Sequence, residues 1–126
     1  MASHNELGRA GEQAACELLI TKGYTIRETN WRLNHLEIDI VAHDPATNTL
    51  HIVEVKTRTS DVHFDPMQAI TAAKKRNLIN AANAYLRHYQ LRCGIQYDAI
   101  IVVGKPDNFK LLHIPKAFYP KLKTYR

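Results

Sequence analysis

The sequence predicts an α/β domain in which helices flank a mixed central β-sheet, with elements in the order αβββαββ. Two segments carry apolar residues at helical spacing, and five short β-branched runs lie between turn-forming residues. The length of 126 residues suits one domain, so we expect a single domain over residues 1–126. Hydrophobic residues make up 45% of the chain and charged residues 23%, which is typical of a globular protein.

The first half of the chain predicts one helix and three strands. The helix is expected over residues 7–22, with Gly23 ending it, because apolar side chains recur there every three or four residues. The alternating, β-branched segments that follow predict strands over residues 24–30, 37–43 and 49–57. The last two are separated by the turn formers of residues 44–48, so we expect them to form a hairpin.

The second half predicts one long helix and two strands. Pro66 is expected to open the helix, which runs to about residue 90 along an apolar stripe. The apolar run of residues 97–103 predicts a buried strand, and residues 109–114 alternate as a second strand. A short helical turn is expected in the tail from Pro115 onward.

Charge is distributed unevenly along the chain. Lysine and arginine number 17 against 12 aspartate and glutamate residues, a net charge of +5. The first 55 residues carry eight acidic and four basic side chains, whereas the rest carry four acidic and thirteen basic ones. The basic excess suits a polyanion such as nucleic acid or an anionic membrane surface. The acidic cluster within a basic protein suggests a bound cation.

Membrane-spanning and disulfide-rich classes are disfavoured. No run reaches the ~18 apolar residues that a membrane helix needs, and the first residues contain no apolar stretch resembling a secretion signal. Two cysteines are too few for a disulfide framework or a four-thiolate zinc site. We therefore expect a cytoplasmic protein with no membrane partner.

Acidic side chains on two adjacent predicted strands form the candidate site. Side chains two apart on a strand share a face, so Glu37 and Asp39 should point one way and Ile38 and Ile40 the other. The same spacing puts Glu54 on one face with Lys56 on the next strand. Pairing of the two strands would bring these carboxylates within reach of each other.

This set of residues suits metal-assisted phosphodiester cleavage. Oxygen ligands from Asp39 and Glu54 fit Mg²⁺ or Mn²⁺, which also uses water and substrate phosphate oxygens as ligands. The ion would lower the pKa of a bound water, and Lys56 would position that water or neutralise the transition state. The residues alone leave another interpretation equally open, namely cross-strand ion pairs on a solvated sheet face.

The motifs also resemble a known family. Asp39, followed fifteen residues later by Glu54-Val55-Lys56, resembles the catalytic signature of the PD-(D/E)xK nuclease superfamily. The segments GRAGEQAACELL, NWR, EIDIV and VEVKTR together resemble the bacterial YraN (UPF0102) family, which is related to archaeal Holliday junction resolvases. The resemblance implies a restriction-endonuclease-like fold and a divalent-metal-dependent endonuclease acting on DNA, with branched or junction DNA as a candidate substrate. A homodimer would suit a symmetric junction.

The resemblance also implies roles for individual residues. Glu12 matches the helical acid that completes the metal site, and Asp39 and Glu54 match the metal ligands. Lys56 matches the catalytic lysine. Arg58 and Gln68 occupy positions where the family has polar residues near the site, although Arg58 equally suits a surface ion pair with a nearby acid.

The basic run Lys74-Lys75-Arg76 is a candidate nucleic-acid contact, because phosphates favour clustered cations. A solvated helix face explains the same run equally well.

Two alternatives to a nuclease stay open. One is a nucleic-acid-binding module that keeps the fold with little or no cleavage, and the other is an interaction protein without a nucleic-acid role.

Overall fold

The computed structural model describes residues 4–60, 65 and 70–120, which form a five-stranded sheet with a helix on each face. The helices and strands in chain order are α1 (His4–Thr21), β1 (Thr25–Leu33), β2 (Leu36–Asp44), β3 (Thr49–Arg58), α2 (Ala72–His88), β4 (Gly94–Val103) and β5 (Lys110–Phe118). This order confirms the predicted αβββαββ arrangement and the α/β class. Neither helix is long and apolar enough to cross a membrane.

The strands are arranged in chain order across the sheet, from β1 at one edge to β5 at the other. All neighbours pair antiparallel except β3 and β4, which are parallel. A parallel pair needs a long crossover connection, and α2 lies within it. The predicted hairpin of β2 and β3 is confirmed.

Each face of the sheet has its own hydrophobic core. The α1 core packs Ala15 and Leu19 of the helix against the sheet residues Ile40, Val53, Ile100 and Val102. The α2 core packs Leu78 and Tyr85 of the helix against the sheet residues Ile38, Val41, Ile52 and Ile101. Because helices cover both faces, the central strands are apolar on both sides.

The beginning of α2 differs from the prediction. The helix begins at Ala72 and not at Pro66, because Thr71 adopts an extended conformation and its side chain accepts a hydrogen bond from the Lys74 amide at 3.2 Å. A threonine in this position caps the helix by satisfying an otherwise unpaired amide. Residues 66–69 lie outside the described part of the chain.

The prediction of a helical turn from Pro115 is wrong for residues 115–118, which continue β5. Proline is tolerated here because β5 is an edge strand, where a missing amide breaks no inner ladder. The β4–β5 register shifts between Tyr97 and Ala99, and Lys116 opposite has a left-handed φ of 52°. This irregularity turns the Lys116 amide toward Asp98, to which it donates at 3.1 Å.

Asp98 is the centre of a buried polar network between β3, β4 and β5. Its carboxylate is fully buried and accepts hydrogen bonds from His51 Nδ1 at 2.8 Å and His113 Nε2 at 2.9 Å. Gln96 Nε2 adds a third side-chain donor at 2.9 Å. Burial alone would raise the pKa of Asp98, but these donors and the Lys116 amide outweigh it and hold the pKa well below its ordinary value.

Asp98→Asn should lower the free energy of unfolding at neutral pH by about 3 kcal/mol, because it breaks a buried charge network. A carboxylate whose pKa is lower in the folded than in the unfolded chain stabilises the fold above about pH 4, and this contribution is lost as the pH falls further. Urea unfolding of wild type should therefore show a stability loss below about pH 4 that is smaller in Asp98→Asn.

Asp107→Asn is the matched control, because Asp107 is exposed in the loop between β4 and β5. Its stability should stay within about 0.5 kcal/mol of wild type. The same loss of stability in acid for wild type and Asp98→Asn would contradict the role of this network.

Candidate functional site

The candidate site lies in a fork between β2 and β3. The two strands pair from the hairpin turn as far as Ile40 and Val53, and β2 residues before Ile40 have no β3 partner. In the fork, Asp39 Oδ2 accepts a hydrogen bond from the Val55 backbone amide at 2.9 Å. Where β2 has left β3, the Val55 amide has no strand partner, and the Asp39 carboxylate takes that place.

Side-chain alternation breaks on β2 at Asp39. The prediction that Ile38 and Ile40 point to the same side is wrong, because Ile38 packs in the α2 core and Ile40 in the α1 core. On the neighbouring strand, Asn30 of β1 lies between the residues that pair with Ile40 and Ile38 and has a left-handed φ of 51°. Asparagine tolerates this conformation better than most residues. The break places Asp39 in the fork.

Glu54 follows Val53, the last β3 residue that pairs with β2, and is only 4% exposed. Its side chain contacts that of Asp39, and its Oε2 is buried without a hydrogen-bond partner. Burial is the main cause that raises the pKa of Glu54, and the Asp39 carboxylate adds to it. Val53 packs in the α1 core and Val55 packs against it.

Helix α1 brings Glu12 to the same place. Glu12 lies one turn before Ala15 on the sheet-facing side of the helix, and its Oε2 accepts a hydrogen bond from Asn30 Nδ2 at 3.0 Å. Partial burial raises the pKa of Glu12, the Asn30 bond opposes this, and the charge of Asp39 raises it further. The helix can approach β3 because Gly11 has no side chain. A Cβ there would lie 2.0 Å from Thr57 Oγ1.

Helix α2 contributes Lys74 from the other face. The Lys74 ammonium donates to Glu37 Oε1 at 3.0 Å and lies 3.5 Å from Glu54 Oε2. This hydrogen bond is the main cause that lowers the pKa of Glu37. One turn later, Asn77 accepts from the Glu37 amide at 3.4 Å and donates to the His35 carbonyl at 3.1 Å, so it fixes the start of β2 against the helix.

These residues enclose a pocket of about 250 Å³. It is lined by Leu7, Gly8, Glu12, Glu37, Asp39, Glu54, Val55, Thr57 and Lys74. Three of the four predicted catalytic residues therefore line one pocket. A second groove of about 390 Å³ shares Gly8 and Glu12 with it and continues past Arg9 and Arg32.

The other predicted site residues lie around this pocket or away from it. Lys56 is half-buried beside the pocket. The charges of Lys56 and Lys74 both lower the pKa of Glu54, and Lys74 has the larger effect. Arg58 is exposed at the end of β3. Of the basic run, Lys75 lies over the Phe118 ring at 5.7 Å and Arg76 is exposed, so the three side chains do not share one surface. Gln68 lies outside the described residues.

The donor set of the pocket fits a small divalent cation. Asp39 and Glu54 are carboxylates in contact, and hard oxygen atoms are the ligands that Mg²⁺ and Mn²⁺ prefer. Within the described ranges no group of three His, Cys, Asp or Glu side chains is arranged to hold a metal ion. Two carboxylates are nevertheless enough for Mg²⁺, which usually completes its shell with water and substrate phosphates. The Oε2 of Glu54, which has no hydrogen-bond partner, supports this fit.

Sequence reasoning missed two asparagines and did not predict that Lys74 lines the acidic pocket. Asn30 and Asn77 hold Glu12 and Glu37 in place, and Lys74, predicted as a phosphate contact, lines the acidic pocket. Asn30 had a local signal, since an asparagine inside a strand suggests a left-handed residue. The contacts of Asn77 and Lys74 depend on how α2 packs across the sheet, which no local pattern shows.

Comparison with known proteins identifies a family that spans most of the chain. The model of a family described as "Uncharacterised protein family UPF0102" matches residues 11–102. A UPF0102 protein of Bacteroides thetaiotaomicron is 46% identical over 122 residues, which cover 97% of this chain and 99% of the relative. A UPF0102 protein of Flavobacterium psychrophilum is 43% identical over 119 residues, covering 94% and 98%.

Gly11→Ala should destabilise the protein by about 1–3 kcal/mol, because the new methyl group would overlap Thr57 and push α1 off β3. Adding Thr57→Ala removes Oγ1 and Cγ2, the two Thr57 atoms that the new methyl group would overlap most. The double variant should therefore regain part of the lost stability. Urea unfolding of the two variants measures this effect.

Gly8→Ala is the control in the same helix, because a Cβ at Gly8 would meet no atom within 4 Å. It should stabilise the protein by about 0.5–1 kcal/mol, the usual advantage of alanine over glycine in a helix. If Gly11→Ala were as stable as Gly8→Ala, the close contact between α1 and β3 would be refuted.

Proposed function

We propose that this chain, which belongs to the UPF0102 family, is a divalent-metal-dependent endonuclease that hydrolyses phosphodiester bonds in DNA. The observation that carries the proposal is the contact between the Asp39 and Glu54 carboxylates in the fork of β2 and β3. Glu54 is buried, and its Oε2 has no hydrogen-bond partner although the Lys74 ammonium lies 3.5 Å away. A carboxyl group in such surroundings needs a closely bound cation or a proton. A small hard cation supplied with the substrate meets this need.

The chain's own residues have distinct roles in this proposal. Asp39 and Glu54 would hold the ion, and Glu12 faces the same pocket from α1. When bound, the ion would supply an activated water and neutralise charge on the phosphate. Lys56, beside the pocket, would orient the attacking water or stabilise the developing negative charge.

Nucleic acid as the substrate is supported by the charges around the pocket. Arg9 and Arg32 line the groove that continues from the acidic pocket, and the Arg32 side chain is 71% exposed. The groove therefore offers cations for the backbone next to a phosphate that reaches the carboxylates. The net charge of +5 favours the same class of partner. The family resemblance adds four-way junctions to the DNA substrates that should be tested.

A nucleic-acid-binding module with little or no cleavage is the second candidate. One observation favours it specifically. Lys74 already lies beside Glu54 and hydrogen-bonds Glu37, so the pocket is partly neutralised without a divalent ion. Turnover is the measurement that separates the two candidates, because both would bind nucleic acid in a salt-dependent manner.

Purified protein should cleave DNA in Mg²⁺ or Mn²⁺ and not in EDTA. The substrates are linear duplex, single strand, flap and four-way junction, each end-labelled. Asp39→Asn keeps an oxygen that accepts the Val55 amide but removes the charge, so cleavage should fall about 100-fold or more while folding is kept. Lys56→Ala should lower the rate by a similar factor.

Asp107→Asn, in an exposed loop, is the control and should cleave like wild type. Cleavage that survives Asp39→Asn would identify a contaminating nuclease. Wild type that binds the junction without cleaving any substrate would support the binding module and contradict the nuclease.

A further inference from the structure

Lys74 occupies a position that the sequence did not assign to it. It projects from the first turn of α2 into the acidic pocket, and its side chain is 25% exposed. Its ammonium lies 3.0 Å from Glu37 Oε1 and 3.5 Å from Glu54 Oε2, so it is within ion-pair distance of both carboxyl groups.

The two carboxylates that Lys74 contacts differ in what else neutralises them. Glu37 is 42% exposed in its side chain and also lies 3.6 Å from the Arg32 guanidinium, so it keeps a cation if Lys74 leaves. Glu54 is 5% exposed in its side chain, and its Oε2 lies 3.5 Å from the Lys74 ammonium without forming a hydrogen bond. Lys74 thus lies within ion-pair distance of Glu54 while its hydrogen bond goes to Glu37.

We infer that Lys74 is the resident counter-cation of the pocket and that a divalent ion replaces it at Glu54. The ion offers direct coordination to an oxygen that the lysine leaves without a hydrogen bond. Repulsion between the ion and the nearby ammonium should move the lysine off Glu54 when the ion binds. This inference rests on the proposed function, because it takes the Asp39–Glu54 pair as the ion's ligands.

The exchange has a consequence for the proposed reaction. A lysine released from Glu54 stays at the rim of the pocket, since α2 is held by Asn77 at the start of β2. Its ammonium is then available to a phosphate oxygen of the substrate. Lys74 would be a positioning residue that couples arrival of the ion to phosphate binding.

Acetylation of Lys74 by limiting acetic anhydride, followed by mass spectrometry, tests the exchange on wild-type protein. Saturating Mg²⁺ should speed the reaction of Lys74 about fivefold, which corresponds to loss of about 1 kcal/mol of ion-pair interaction. Sodium chloride at matched ionic strength corrects for screening. Lys75 is the internal control, since its ammonium lies over Phe118 and its rate should not change.

Isothermal titration calorimetry with Mg²⁺ on the same samples separates the possible failures. Binding together with faster Lys74 acetylation, both lost in Asp39→Asn, supports the inference. Binding with unchanged Lys74 acetylation overturns the inference and leaves the metal site standing. Absence of Mg²⁺ binding overturns this inference, whereas the proposed nuclease is tested separately by the cleavage assay with DNA present.

Discussion

The hydrogen bond from the Val55 amide to the Asp39 carboxylate is the constraint on which the site depends. Where β2 leaves β3, the edge of β3 would expose an unpaired amide, and the Asp39 side chain satisfies it at 2.9 Å. The same bond fixes a carboxylate beside Glu54 in the fork. A backbone requirement of the sheet and the chemistry of the pocket are therefore met by one side chain.

The crowding of carboxylates is tolerated because each helix contributes to the pocket from its own face of the sheet. Helix α1 approaches β3 closely at Gly11 and presents Glu12, which Asn30 holds. Helix α2 presents Lys74, whose charge offsets the acids of both strands. The negative charge of this site is offset by Lys74, but one carboxyl oxygen lacks a hydrogen bond. Such a site can exchange one cation for another, whereas a fully hydrogen-bonded network would resist the exchange.

Local patterns were sufficient to predict the order of the elements and the hairpin of β2 and β3. They also predicted that Glu37, Asp39 and Glu54 lie close together, and these three acids line one pocket. They failed where a tertiary contact overrides local preference. The bulge that turns the Lys116 amide toward Asp98 extends β5 beyond Pro115, and the break at Asp39 reverses the side chains of β2. The place of Lys74 depends on the packing of α2, so strand spacing pointed to Lys56 alone.

Anomalous diffraction from crystals grown with Mn²⁺ tests the central claim most directly, because it locates the ion without relying on activity. The account predicts a peak in the fork of β2 and β3, with oxygen atoms of both Asp39 and Glu54 at about 2.0–2.2 Å and the Lys74 ammonium moved off Glu54. A fork without a peak, in crystals where Lys74 still lies between Glu37 and Glu54, would contradict it.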